Sequence, residues 1–154
     1  MRLSVNFEYR RAIPNDVEEC IVLRGNTRQN SCSVQQLAVL GVTPKTWTQG
    51  IEKGDFPGYI CLHSSKIVGM CFADKNSGEI IVVAILPDYE GHGIGKQLLQ
   101  LTLNELKELG YKRSFLGCNS NPESRSYGFY RHLGWISTGE RDNSGDEVLE
   151  IFLQ

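Results

Sequence analysis

An apolar run, a glycine turn and an amphipathic repeat follow one another without interruption between residues 80 and 106. Ile80 to Leu86 reads as a buried strand. Ile94, Leu98, Leu99, Leu101, Leu103 and Leu106 then recur at helical spacing, which predicts a long helix from about Gly93 to Leu109 with Gly110 as its C-terminal glycine. Between them lies Pro87-Asp88-Tyr89-Glu90-Gly91-His92-Gly93. A strand that passes through glycines into a helix aims the unpaired N–H groups of the first helical turn at one point, where an anion can sit. Glycine removes the Cβ that would keep a ligand away from the backbone. The spacing is not that of a P-loop, because Gly95-Lys96 is followed by Gln97 and position 90 is Glu. It is not a dinucleotide fingerprint either, because G-x-G-x-G lies past the middle of the chain instead of opening a βαβ unit with G-x-G-x-x-G.

Elsewhere the pattern is of short elements. Tyr9-Arg10-Arg11-Ala12 closes a first strand, and Asn15 or Asp16 caps a helix through Val17, Cys20, Ile21 and Leu23. Gly25-Asn26 interrupts it, and Ser33 opens a second helical stretch with Leu37 and Leu40 that Gly41 stops. Thr43-Pro44 predicts an N-cap and first-turn proline for a third helix ending near Gly54. Strands follow at Gly58 to His63, Lys66 to Asp74 and Glu79 to Leu86, joined by the turns Ser64-Ser65 and Lys75-Asn76-Ser77-Gly78. After the long helix come a strand at Ser114 to Cys118, a loop at Asn119-Ser120-Asn121-Pro122 and a helix from Ser124 to before Gly134. Strands at Trp135 to Arg141 and Glu147 to Leu153 close the chain. The order β-α-α-α-β-β-β-α-β-α-β-β implies an α+β protein with a central mixed sheet flanked by helices, not a doubly wound one.

The 154 residues suit one domain over residues 1–154. Sixteen basic against eighteen acidic side chains give a formal charge of −2, which leaves no electrostatic footprint for nucleic acid. No apolar run approaches the roughly 20 residues that cross a bilayer, and Met1 to Glu8 has no signal-peptide core. The five cysteines, Cys20, Cys32, Cys61, Cys71 and Cys118, have no C-x-x-C pair. They read as reduced thiols of a cytoplasmic protein without a metal site. His63, His92 and His132 lack metal-ligand spacing and read as surface or capping residues.

Pro87 to Leu99 resembles the pyrophosphate loop of the GNAT superfamily of acetyl-CoA-dependent N-acetyltransferases, with Glu90, Gly93 and Gly95 at the motif positions. Phe129-Tyr130-Arg131-His132-Leu133-Gly134-Trp135 is similar to that family's Tyr-x-x-x-Gly-Phe segment, with Trp135 in place of Phe. Glu79-Ile80-Ile81-Val82-Val83-Ala84-Ile85 resembles its central strand. The resemblance implies the acyl-CoA N-acyltransferase fold and transfer of an acetyl group from acetyl-CoA, as co-substrate, to an amine of a small molecule or peptide, with a homodimer possible. It implies that Gly91, His92, Gly93, Ile94, Gly95 and Lys96 hold the pyrophosphate. Val83 N–H then faces the thioester carbonyl, Ile85 pairs with the pantetheine arm, and Asn121 contacts it. It points to Tyr130 as general acid, with Tyr127 as substitute, and to Glu79 as general base.

Glu79 stands four residues, about 13 Å of strand, before Val83, so a water relay is expected. Glu90 departs from the family's Gln or Arg; its carboxylate is expected to point to solvent and to lower cofactor affinity. Arg24, Arg28, Trp47, Asp142, Asp146 and Glu147 are the candidates for acceptor selection. Two alternatives stand beside this reading: a non-catalytic acyl-CoA-binding module on the same fold, and an unrelated nucleotide-binding domain.

Overall fold

The computed structural model describes residues 6–27 and 43–154. Its elements are β1 (Glu8–Arg11), α1 (Val17–Arg24), α2 (Pro44–Glu52), β2 (Gly58–His63), β3 (Lys66–Ala73) and β4 (Ile80–Ile85). They continue with α3 (Ile94–Glu108), β5 (Arg113–Cys118), α4 (Arg125–His132), β6 (Ile136–Arg141) and β7 (Glu147–Phe152). The helical stretch expected from Ser33, together with Arg28 and Cys32, lies outside the described residues.

Local chemistry sets the boundaries. The Thr43 side chain accepts from Thr46 N–H and Pro44 fills the first turn of α2, as the sequence predicts. Ser124 caps α4 by accepting from Tyr127 N–H. β3 stops one residue before the expected Asp74 because Asp74 turns the chain: its carboxylate accepts from Asn76 N–H and its carbonyl from Gly78 N–H. α3 begins at Ile94 behind Gly93, whose φ of +77° places the N-cap in the left-handed region.

The strands form two antiparallel sheets, ordered β1-β2-β3-β4 and β5-β7-β6. Between them the one parallel pairing among the described residues is an isolated bridge from Glu79 to Phe115. The mixed character expected from the element order therefore rests on that bridge. Beyond it β4 and β5 share no ladder, and the two sheets separate.

β3 is an inner strand of the first sheet and is buried on both faces, which explains its unbroken apolar run. One face, with Val68, Cys71 and Ala73, packs on Ile94, Leu98, Leu99 and Leu106 of α3 and extends to Leu116, Tyr130, Trp135 and Leu149. The other, with Ile67, Met70 and Phe72, packs on Val17, Cys20 and Ile21 of α1 and Trp47 of α2. Gly69 lies where α3 comes closest: a Cβ there would meet Ile85 Cδ1 and Ile94 Cγ2 at 2.9 Å and Leu98 Cδ1 at 3.1 Å. The missing side chain lets the start of α3, and with it the glycine turn, sit against the end of β4. Gly69→Val should therefore lower stability by about 1–3 kcal/mol through overpacking. That corresponds to a fall of several degrees in melting temperature, read by circular dichroism. An unchanged melting temperature would show that the contact is not close in solution.

Candidate active site: a cleft between the parted strands

The separation of β4 from β5 opens a cleft of about 670 Å³. Its walls come from Ile80 to Ile85 of β4, Leu116 to Cys118 of β5, the start of α3 and one face of α4. Arg24 and Thr27 line it from the end of α1.

The register decides what β4 presents to it. Leu86 N–H donates to Val68 carbonyl at 2.9 Å. Val82 and Ala84, opposite Phe72 and Met70, therefore turn their main-chain groups toward β3. Val83 and Ile85 alternate with them and turn theirs the other way, toward the gap that β5 leaves unpaired.

At one end of the gap lies the glycine turn. Gly91 and Gly93 have φ of +80° and +77°, and a Cβ on either would point into open space. Gly93 carbonyl accepts the first intrahelical bond, from Gln97 N–H. The N–H groups of Ile94, Gly95 and Lys96 therefore have no partner within the helix. This is a cradle fit for a phosphate, closed by backbone donors. Gly91, Gly93, Ile94, Gly95 and Lys96 all line the cleft. Gly95 has a second role: a Cβ there would meet Phe129 Cζ at 3.1 Å, so it also lets α4 pack on the first turn of α3. His92 is exposed, does not line the cleft, and sits 5.7 Å from the ring of Phe7. His63 is half-buried and hydrogen-bonds through Nδ1 to the hydroxyl of Tyr89 on the same loop.

Tyr130 lies on the cleft wall with its ring packed edge-on to Phe129 and Trp135, at 4.9 and 5.8 Å between centroids. It is 9% exposed, and burial, followed by the neighbouring Cys71 and Cys118 thiols, pushes its phenol above the usual tyrosine range; Arg24 opposes them. Among the described residues nothing hydrogen-bonds its hydroxyl. Tyr127, one turn earlier, is covered by the Arg131 guanidinium, 3.6 Å above its ring.

Glu79 is half-buried at the mouth of β4, next to the cleft residue Ile80. Burial, then the Asp74 and Asp142 carboxylates, raise its carboxyl above the usual glutamate range. Asp142 lies over Gly117 of the cleft wall, where a Cβ would meet its Oδ2 at 2.3 Å. Asn121 is exposed and outside the cleft wall: its side-chain oxygen accepts from Glu123 N–H, and its carbonyl accepts from Ser124. Of the acceptor-side candidates, Arg24 lines the cleft, whereas Trp47 is buried against Phe72 in the second core. Glu147 pairs with Arg131.

Glu90 corrects an expectation. Its side chain is 14% exposed, not turned out to water, because Arg125 at the start of α4 brings a counter-charge, with Nε 3.5 Å from Glu90 Oε2. Arg125, Ser126 and Phe129 were not foreseen on the cleft wall. The Ser126 hydroxyl is buried there without a hydrogen-bond partner among the described residues. The signal was available in outline, since Ser126, Phe129 and Tyr130 stand at i, i+3 and i+4 behind the Ser124 cap and so share a helix face.

Among the described residues no group of three His, Cys, Asp or Glu side chains comes together to hold a metal, and no helix is long and apolar enough to cross a membrane.

No curated protein matches the sequence. Solved structures share the fold. The PaiA N-acetyltransferase of Thermoplasma acidophilum, in complex with coenzyme A, superposes with a TM-score of 0.79 at 20% identity, covering 96% of this chain and 99% of that one. An N-acetyltransferase from Staphylococcus aureus Mu50 gives 0.75 at 17% identity over 97% and 99% of the two chains. The ribosomal-protein-S18-alanine N-acetyltransferase of Escherichia coli gives 0.71 at 14% over 97% and 95%. The sequence model of the Acetyltransferase (GNAT) family matches residues 31–135, from before α2 through the glycine turn to Trp135, and to that family this chain belongs.

Proposed function

We propose that the protein transfers the acetyl group of acetyl-CoA to a primary amine of a small molecule or peptide, by direct attack within a ternary complex. The observation that carries the proposal is the cleft itself: one gap joins a glycine phosphate cradle, outward-turned N–H groups of β4 and a buried tyrosine. Bound there, acetyl-CoA supplies an activated acyl carbon. The backbone donors from Gly91 to Lys96, including that of His92, hold the pyrophosphate. Ile85 pairs with the pantetheine arm as an added strand would; Asn121, outside the cleft wall, caps the turn before α4 instead of reaching the arm. Val83 N–H donates to the thioester oxygen as negative charge builds there.

The amine must lose a proton to attack. With an ordinary alkyl-amine pKa near 10.4, reaching the neutral form at pH 7 costs roughly 4–5 kcal/mol. Glu79 takes that proton through water, and its raised pKa keeps it closer to the working pH than an ordinary carboxylate. The nitrogen bonds to the acyl carbon, the carbon–sulfur bond breaks, and the Tyr130 phenol protonates the leaving thiolate. The proton on Glu79 returns to solvent and Tyr130 is reprotonated.

Cys118 also lines the cleft, and burial pushes its thiol up, so it stays protonated and is a poor acyl carrier. That favours direct attack over a covalent enzyme intermediate. We place the reaction in the cytoplasm, in keeping with cysteines that are buried and unpaired among the described residues.

Calorimetric titration with acetyl-CoA, CoA, ATP and NAD is the first test. Micromolar binding of acetyl-CoA and CoA, with none of ATP or NAD, is the expected result, followed by thiol release in an amine screen. Binding without thiol release for any amine would leave an acyl-CoA-binding module, and no binding of either CoA species at millimolar concentration would overturn the proposal.

A further inference from the structure

The glycine turn has a back as well as a front. Gly91 and Gly93, both in the left-handed region, flank His92, and nothing stands within 4 Å of the Cβ position of either. A turn of this kind has many backbone shapes open to it, and few of them aim its N–H groups together at an anion. Rings gather behind it. Phe7, just before β1, lies 5.7 Å from the ring of His92, 5.7 Å from that of His63 and 6.2 Å from that of Tyr89, between centroids. Its contacts with His92 and Tyr89 are edge-on, an attractive geometry for aromatic rings. His63 closes the set: its ring meets that of Tyr89 edge-on at 5.3 Å, and its Nδ1 hydrogen-bonds to the Tyr89 hydroxyl at 2.9 Å.

Two separate parts of the chain meet in this cluster. Tyr89 and His92 belong to the loop between β4 and α3. Phe7 and His63 belong to one end of the β1–β2 pair, where Glu8 stands opposite Leu62. The register of β2 on β3 shifts at Cys61/Leu62, a bulge of the kind that re-aims the side chains beyond it, His63 among them. Tyr89 lines the cleft, whereas Phe7, His63 and His92 do not. The cluster therefore grips the residue that enters the cradle and the residue at its middle without occupying the ligand's place.

We propose that these rings form a clasp that holds the glycine cradle in its phosphate-binding shape, with Phe7 and His63 as positioning residues for the pyrophosphate of an acyl-CoA. The inference rests on the acyl-CoA reading of the cleft. With the clasp closed, the turn is ordered when the chain folds. With it cut, the ligand must order the turn on binding, and that cost is read as lost affinity.

The test is calorimetric titration of coenzyme A into the wild type, Tyr89→Phe, His63→Phe, their double variant and Phe7→Leu, with melting curves for each. Hydrogen exchange of the free proteins, followed by mass spectrometry, supplies a second readout. Tyr89→Phe and His63→Phe each keep a ring and remove one end of the hydrogen bond, so each should weaken binding about three- to tenfold. The double variant should be no weaker than the weaker single one, because both changes remove the same bond. Phe7→Leu keeps an apolar side chain but loses the ring edges on Tyr89 and His92, and should weaken binding about tenfold. In all four, exchange should quicken over residues 86–96 while β3 and the rest of α3 keep wild-type protection; a merely structural role would lower protection throughout. A Kd within twofold of wild type for both Tyr89→Phe and Phe7→Leu, or lost affinity with unchanged exchange over 86–96, would overturn the proposal and leave the acyl-CoA reading intact. Failure of the wild type to bind coenzyme A would overturn that reading and this inference with it.

Discussion

Tyr130→Phe should lower kcat by about 10²- to 10³-fold, within the range for losing a positioned general acid, and should leave the Kd for acetyl-CoA within about threefold of wild type. The substitution removes one oxygen and keeps the ring that packs on Phe129 and Trp135, so the fold should survive it. The size of the effect follows from burial. A phenol pushed above its usual range by a desolvated site stays protonated at neutral and mildly alkaline pH, so it is available there as a donor. For the same reason Tyr130 should contribute no alkaline limb to the wild-type pH profile below about pH 10, the ordinary tyrosine value. Stopped kinetics with thiol detection, beside a calorimetric Kd, separates the two quantities. A variant with unchanged kcat would remove Tyr130 from the chemistry. A variant that lost binding and kcat together would assign it to cofactor positioning instead.

How far the sequence could be read depends on the distance over which each feature is encoded. The glycine turn and the caps at Thr43 and Ser124 are decided by neighbours a few residues apart, and each lies where the pattern predicts; the strand buried on both faces is β3, whereas Ile80 to Leu86, read as the buried one, has Ile81 exposed. Features that arise when separate elements meet were not legible. Glu90 and Arg125 are far apart in sequence, and nothing near Glu90 announces a counter-charge. Gly95 looks like one more loop glycine until α4 brings Phe129 against it. Trp47 is a candidate for acceptor selection in the sequence, yet its ring is buried in the core on Phe72. The orientation of Val83 follows from the pairing register with β3, and a shift of one residue would turn its N–H the other way. The resemblance implied roles for Val83 and Gly95; the physical reasons for their placement come from packing and register.

Glu79→Gln separates function from stability, because the two should move in opposite directions. If Glu79 is the base, kcat/KM of the wild type rises with pH as its carboxyl ionises, and the raised pKa shifts that limb above the ordinary glutamate value. The glutamine variant should lose the limb and about 10²-fold in kcat near neutral pH, with activity recovering only as the amine substrate itself deprotonates. Stability runs the other way. A carboxyl whose pKa is higher in the folded than in the unfolded chain binds its proton more tightly when folded. Its ionised form therefore costs stability, fully above the folded pKa, and the cost vanishes as pH falls below the unfolded value. The causes here are burial, then the Asp74 and Asp142 carboxylates, and glutamine relieves the ionic part of both. Glu79→Gln should thus melt at the same temperature as the wild type or higher at pH 7, and the difference should close on acidification. A catalytic group held at a cost to the fold has this signature, whereas a solvated carboxylate at a strand end would change neither activity nor melting. Full retention of kcat with the wild-type pH profile would move the search for the base to Asp142 and Asp146, which flank Gly117 on the other wall of the same cleft.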